Sequence, residues 1–296
     1  MYLADLLNSH GLFQRTSNWM KQNGMADDVS FMLSRATSAV VSILRVDQAQ
    51  VNCVREFELF DDQLEDVENR IVFNSRSMVE VQNEISPLLS TLRIMQDSLI
   101  KLISKSINAS LPSSFNDTIK KINKYKLPDE LKKLLIDYWS NDGATIRAYR
   151  VLDQHFSGIS DYAFLQTSPG KKVIILFPDN PEVKSRNGFT YNKEICGISL
   201  LRIGFDNLHE LIESIAEFLG HKPSRLQVST KMDQLGDLTP YRKRLLSFLF
   251  ESNLVTNKSG EKKLNISGLR ISQKEDGRLE VQNMLASEEK FKKLNG

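Results

Sequence analysis

The sequence predicts a mainly α fold with an α+β C-terminal part. A bundle of long helices is expected over residues 1–160, followed by a small α+β domain over residues 161–296. The first observation behind this prediction is a heptad of apolar residues that runs from Leu64 to Leu102. The second is the run KVIILF at 172–177, which is typical of a buried strand and follows a change in character after Gly158.

The heptad predicts one long helix with a continuous apolar seam. A single polar residue, Asn74, interrupts the seam, and Pro87 removes one backbone donor and predicts a bend near residues 83–86. The seam packs within the chain's own bundle by default, and the alternative is an oligomerisation surface. Its apolar members are Leu64, Val67, Ile71, Met78, Val81, Ile85, Leu88, Leu92, Met95, Leu99 and Leu102.

A similar but weaker period precedes the heptad, from Val29 to Phe57. It predicts a second long helix, which turns back near residues 60–62 so that the two helices lie side by side. A strand over residues 51–60 is the alternative for the end of this segment.

Three shorter helices are predicted before residue 160. Residues 115–126 form the first, and the second begins at Pro128, which suits the first turn of a helix. The run Ser140-Asn-Asp-Gly143 predicts a turn after this helix. The third covers residues 144–156, and Gly158 suits its C-terminal cap.

The α+β part is predicted to contain two strands, two helices and a hairpin. The strands cover residues 172–177 and 194–205, and the helices cover residues 207–219 and 240–252. The hairpin covers residues 264–284 and turns at Glu275-Asp-Gly277.

Composition places the chain among soluble globular proteins, with 41% hydrophobic and 26% charged residues in a length of 296. The first residues lack a basic segment followed by a long apolar run, so no secretory signal is expected. No apolar run approaches the length of a membrane span, and no membrane partner is expected. The two cysteines, Cys53 and Cys196, lack the spacing of a metal site and indicate a reducing, cytoplasmic setting.

The candidate site is the pair Arg150 and His155, near the end of the helix over residues 144–156. Histidine can take the proton from a ribose 2′-OH, and arginine can stabilise the charge that builds on phosphorus. Residues five apart on a helix lie about 140° apart around its axis, so they share a face only if the helix loosens at its end. An exposed arginine and a capping histidine are the structural alternative.

The segment from Tyr149 to Phe156, YRVLDQHF, resembles the HEPN superfamily of helical-bundle proteins, whose signature is an arginine, four to six residues and a histidine. The resemblance covers about residues 60–160. Many members are metal-independent ribonucleases of toxin–antitoxin, CRISPR-associated and other defence systems, and others are non-catalytic binding modules. Many members carry a polar residue after the arginine, where this chain has Val151.

The resemblance implies RNA cleavage through attack by the 2′-OH, without a metal or another cofactor. Arg150 is then the cation that stabilises the phosphate, and His155 transfers the proton. Arg147 is not part of the motif, but its place one turn earlier on the helix predicts a further phosphate contact. The implied partners are RNA, a second copy of the chain in a homodimer, and a protein inhibitor or antitoxin.

A non-enzymatic function is the alternative. The long heptad helices would then bind a protein partner or drive oligomerisation, with residues 161–296 as an accessory module. Tyr138 and Trp139 suit base stacking, but their place one turn after two leucines favours a role in the core or at a domain interface.

Overall fold

A computed structural model of the chain describes residues 7, 12–59, 69–72, 75–155, 158–183 and 185–223, together with the backbone of four short strands after residue 253. The chain forms two compact units. The first consists of Met1–Asn8 and Leu12–Arg225, and the second of Ser9–Gly11 and Leu226–Gly296. The described part of the first unit is mainly helical, as the sequence predicts, with one small antiparallel sheet.

Two long helices form the centre of the first unit. The described helices are α1 (Gln14–Trp19), α2 (Ala26–Glu58), α3 (Arg76–Ser106), α4 (Phe115–Lys120), α5 (Asp129–Tyr138), α6 (Ala144–His155) and α7 (Gly197–Phe218), with a 3-10 turn at Ile122–Lys124 after α4. Helix α2 extends through Glu58, so the alternative of a strand over residues 51–60 is wrong. The predicted turn at residues 60–62 lies outside the described residues.

Helix α2 is also long and apolar enough, by length and composition alone, to cross a membrane. Half of its most apolar stretch is buried inside the protein, and a core helix meets the same criteria. Its buried side chains include Met32, Leu33, Ile43 and Phe57, which pack in the centre of the unit.

The heptad seam of α3 is buried within the chain itself. Its described members that lie on the helix are all buried: Met78, Val81, Ile85, Leu88, Leu92, Met95, Leu99 and Leu102. The helix begins later than predicted, at Arg76, where the Ser75 hydroxyl accepts a hydrogen bond from the Met78 N–H at 3.0 Å. Ile71 belongs to a strand instead, so the prediction of one helix through Ile71 is wrong.

A π-helical turn, Trp139–Gly143, replaces the predicted turn and joins α5 to α6 without a chain reversal. The buried Gln96 of α3 donates to the Tyr138 hydroxyl at 2.8 Å and to the Gly143 carbonyl at 3.4 Å. Phe115 stacks on the Trp139 ring with 5.4 Å between centroids, and Tyr138 is buried, as a role in the core predicts, whereas Trp139 is only partly buried. These contacts hold the widened turn, so the Ser-Asn-Asp-Gly run marks an irregular turn within a helix.

The sheet has four antiparallel strands in the order β1 (Arg70–Ile71), β2 (Ala163–Gln166), β3 (Lys172–Phe177) and β4 (Ile195–Cys196). Strand β3 occupies the residues predicted for the first strand. One face of the sheet consists of side chains that are buried: Ile71, Leu165, Val173, Ile175 and Phe177. Phe177 on this face contacts Tyr149 of α6, with 4.8 Å between ring centroids.

The predicted strand over residues 194–205 is wrong. Only Ile195 and Cys196 are extended, and α7 begins at Gly197, ten residues before the helix predicted at 207–219. The apolar residues here recur at helical spacing, and their buried members are Ile198, Leu201, Phe205, Leu208, Leu211, Ile212 and Ile215. The sheet and α7 therefore belong to the same compact unit as the helices. The two units divide near residue 225, whereas the sequence predicts a boundary near residue 160.

The described part of the second unit consists of two strand pairs. Strand β5 (Leu254–Thr256) pairs with β6 (Lys262–Leu264), and β7 (Leu269–Gln273) pairs with β8 (Leu279–Asn283), both in antiparallel fashion. The pair β7–β8 lies within the predicted hairpin. The predicted hairpin turn at residues 275–277 and the predicted helix at residues 240–252 lie outside the described residues.

Candidate functional site

Helix α6 carries all three residues that the sequence proposes for the site. Arg147 and Arg150 are half-buried, and His155 is the exposed last residue of the helix. The apolar face of α6, with Ile146 and Tyr149, is buried and fixes the orientation of the helix.

Helix α3 lies opposite and runs antiparallel to α6. The Gln96 amide reaches the carbonyl of Gly143 just before α6 begins, at 3.4 Å. Near the other end, the Gln154 amide donates to the Ser90 hydroxyl, also at 3.4 Å. Arg93 lies between these two contacts on α3, and it therefore faces the stretch of α6 that carries the two arginines.

Arg93 is held from several sides, and only 12% of its side chain is exposed. It pairs with Asp97 at 2.7 Å and donates to the Ser114 hydroxyl at 3.2 Å. Burial lowers the pKa of Arg93, Asp97 opposes that change, and the positive charges of Arg147 and Arg150 lower the pKa further. Arg93, Arg147 and Arg150 thus form one group of positive charges, which we call the arginine cluster.

One donor of the arginine cluster is unsatisfied within the part of the chain that the structure describes. The Nε atom of Arg150 is buried and has no hydrogen-bond partner there. Buried polar groups in native proteins nearly always have a partner, so an N–H group of this kind is suited to an external acceptor. An anion placed against the arginine cluster would supply that acceptor and would offset the mutual repulsion of the three guanidinium groups.

His155 lies on a different side of α6. The helix is regular through His155, so it does not loosen before this residue in the way that a shared face requires. Ideal geometry places its Cα about 140° around the axis and about 7.5 Å along it from that of Arg150. The structure thus brings Arg147 and Arg150 together with Arg93 and sets His155 at another position on the helix.

The sequence did not indicate Arg93. It directly follows Leu92 of the buried seam, and no local motif marks it. Only the packing of α3 against α6 brings it to the site. No group of three or more histidine, cysteine, aspartate or glutamate side chains that could hold a metal ion occurs among the residues described.

Comparison of the chain with protein-family models, with curated proteins and with solved structures finds no match. The resemblance to the HEPN superfamily therefore stays a prediction from the sequence, based on the motif at Arg150 and His155 and on its helical setting.

Proposed function

We propose that this protein binds RNA through the arginine cluster and cleaves it without a metal ion. The observation that supports the proposal is the convergence of Arg93, Arg147 and Arg150, with a buried Arg150 N–H that has no partner among the described residues. Arginine is suited to phosphate because it stays charged and presents several donors in a plane.

The reaction proposed is transfer of a phosphodiester to the neighbouring ribose oxygen. His155 takes the proton from the 2′-OH, the 2′ oxygen forms a bond to phosphorus, and the bond from phosphorus to the 5′ oxygen breaks. Arg150 and Arg147 stabilise the negative charge that builds on the phosphate oxygens. The products are a 2′,3′-cyclic phosphate and a 5′-hydroxyl, whose oxygen takes up a proton.

The position of His155 favours a site that two copies of the chain share. The angle of about 140° between Arg150 and His155 separates the base from the phosphate-binding arginines on one helix. In a symmetric dimer, the histidine of one copy can approach the arginine cluster of the other and act on the phosphate bound there.

The test is incubation of the purified protein with RNA in EDTA, alongside three variants. We expect His155→Ala to lose cleavage but keep RNA binding, and Arg150→Ala to lose cleavage and bind RNA about tenfold more weakly. Arg45→Ala is the matched control, because Arg45 is an exposed arginine of α2 whose side chain is 67% exposed. We expect this control to behave as the wild type does.

Two outcomes would contradict the proposal. Cleavage that survives both His155→Ala and Arg150→Ala would remove these residues from the chemistry. Equal loss of RNA binding in Arg150→Ala and Arg45→Ala would mean that binding follows net charge and does not involve the arginine cluster.

A further inference from the structure

The outer face of the sheet carries a cleft that the proposed RNA site does not use. The strand register places Arg70 opposite Gln166, Gln166 opposite Lys172, and Leu176 opposite Cys196, so these side chains share one face. The side chains that alternate with them, among them Leu165, Val173 and Phe177, form the opposite face. The cleft has a volume of about 290 Å³, which is close to the lower end of the range for small-molecule sites.

The floor of the cleft is the edge of a small apolar cluster. Phe164, Ile174 and Leu176 form this cluster, each at most 7% exposed, and Tyr191 and Cys196 pack against it. This cluster is separate from the packing of the opposite face, which contains Leu165 and Phe177. A ligand with a small apolar part can therefore contact the edge of this cluster without disturbing the rest of the core.

The rim of the cleft is polar and has more positive than negative groups. Arg70 and Lys172 supply two cations, and Glu194 supplies one carboxylate. Arg70 donates to Glu194 at 2.5 Å, and its guanidinium lies 5.2 Å from the centre of the Phe164 ring. Asn69 adds an amide to the same rim.

Two residues at the ion pair between Arg70 and Glu194 have a left-handed backbone conformation. Asn69, which precedes Arg70, has φ 63°, and Glu194 has φ 46°. A left-handed conformation is uncommon for a residue with a side chain, less so for asparagine than for glutamate, and it costs free energy that the surrounding structure must offset. Both residues line this cleft, and strained residues of this kind are concentrated at ligand-binding sites.

We propose that this cleft binds a small organic anion, a carboxylate or phosphate monoester attached to a compact apolar group. The apolar group lies on Phe164, Ile174 and Leu176, and the anionic group is bound by Lys172 and Arg70. Glu194 competes with the ligand for Arg70 and so sets the affinity. The site is independent of the arginine cluster, and its failure or success leaves the RNA proposal unchanged.

Ligand binding in the cleft can be measured through the reactivity of the Cys196 thiol. It is partly exposed in the cleft, whereas Cys53, the other thiol, is buried. The rate of alkylation of Cys196 by iodoacetamide, followed by peptide mass spectrometry, is measured with four probes at rising concentration. Phenyl phosphate and benzoate carry both parts of the expected ligand, inorganic phosphate carries only the anion, and benzyl alcohol carries only the apolar ring.

We expect phenyl phosphate or benzoate to slow the alkylation of Cys196 in a saturable way. Inorganic phosphate and benzyl alcohol should need at least about tenfold higher concentrations for the same effect, because each makes only part of the contacts. Equal protection by all four probes, or no protection by any of them, would overturn the proposal.

Three variants test the assignment of the charges. Lys172→Ala should weaken the protection of Cys196 by phenyl phosphate or benzoate severalfold. Glu194→Gln should strengthen this protection severalfold, because Arg70 becomes available to the anion. Lys171→Ala is the matched control, because the adjacent Lys171 pairs with Glu58 at 3.3 Å and lies against the Phe57 ring. Protection that changes equally in Lys171→Ala and Lys172→Ala, or that weakens in Glu194→Gln, would contradict the proposed contacts.

Discussion

At the scale of single residues, Gly143 has an unusual role for a glycine inside a helix. Alanine in place of an exposed helical glycine ordinarily stabilises a helix by about 1 kcal/mol. At Gly143 an added Cβ would lie 2.8 Å from the ring of Tyr138 and 2.9 Å from the ring of Trp139. Both rings are held by further contacts, Tyr138 through Gln96 and Trp139 through Phe115, so neither can move freely. The π turn therefore requires glycine at this position.

We expect Gly143→Ala to lower the free energy of unfolding by about 1–3 kcal/mol, because the added methyl group overpacks the two rings. Chemical denaturation measures the change. The control is Gly170→Ala in the loop before β3, where an added Cβ meets nothing within 4 Å. Its effect should stay within about 0.5 kcal/mol. A stabilised Gly143→Ala variant would show that ordinary helix propensity prevails at this turn.

The candidate site shows what single residues in a sequence can indicate. Arg150 could be identified from the motif, and Arg147 from its place one turn earlier on the same helix. Arg93 could not, because its distance from Arg150 along the chain is long and its role depends on which face of α3 meets α6. The angle between Arg150 and His155 could be calculated from helix geometry alone, and the regular end of α6 agrees with it.

At the scale of elements, apolar periodicity predicted α3 well and its beginning badly. The spacing of 3.5 residues holds from Met78 to Leu102, where the helix packs against neighbours. The same spacing extends to Ile71 although this residue lies in a strand. The agreement is a coincidence, because a buried strand residue is as apolar as a buried helix residue. The same ambiguity explains the wrong strand over residues 194–205, since a short apolar run suits either structure.

The buried seam gives a prediction for α3. Leu92 is 0% exposed, so Leu92→Asp would place a carboxylate in the core and cost more than about 4 kcal/mol, enough to remove cooperative folding. Ile94 on the same helix is 37% exposed, and Ile94→Asp should change stability by less than about 1 kcal/mol. Circular dichroism during thermal unfolding distinguishes the two variants.

The sequence left two roles open for the seam, packing inside one chain and oligomerisation. Size-exclusion chromatography of Leu92→Asp distinguishes them. A variant that stays folded but becomes smaller would show that the seam joins two copies of the chain. Loss of folding, which we expect, agrees with burial inside one chain.

At the scale of the whole molecule, the first unit depends on contacts between distant parts of the chain. Strand β1 comes from the connection between α2 and α3, yet Ile71 pairs with Leu165 of β2. Local sequence patterns carry no information about such a pairing. The sequence therefore predicted a domain boundary near residue 160, where the apolar pattern changes from helical to strand-like. The hydrogen bond between Tyr149 of α6 and the Pro178 carbonyl after β3, at 2.8 Å, joins the same two regions.

Tyr149 makes this connection sensitive to alkaline pH. Burial raises the pKa of Tyr149 to about 12, and the negative charges of Asp179 and Glu182 act in the same direction. In the unfolded chain the pKa of tyrosine is about 10. The folded state therefore favours the protonated hydroxyl, so the contribution of Tyr149 is fully present below about pH 10 and is lost as the pH rises towards 12.

We expect Tyr149→Phe to be less stable than the wild type by about 1–3 kcal/mol at neutral pH, because the buried Pro178 carbonyl loses its donor. Between about pH 10 and 11 the difference should shrink by about 1 kcal/mol per pH unit, since only the wild type carries the ionisable hydroxyl at this position. Urea denaturation of both proteins across this range measures the difference. A difference that stays constant with pH would mean that the hydroxyl of Tyr149 ionises as easily in the folded chain as in the unfolded one.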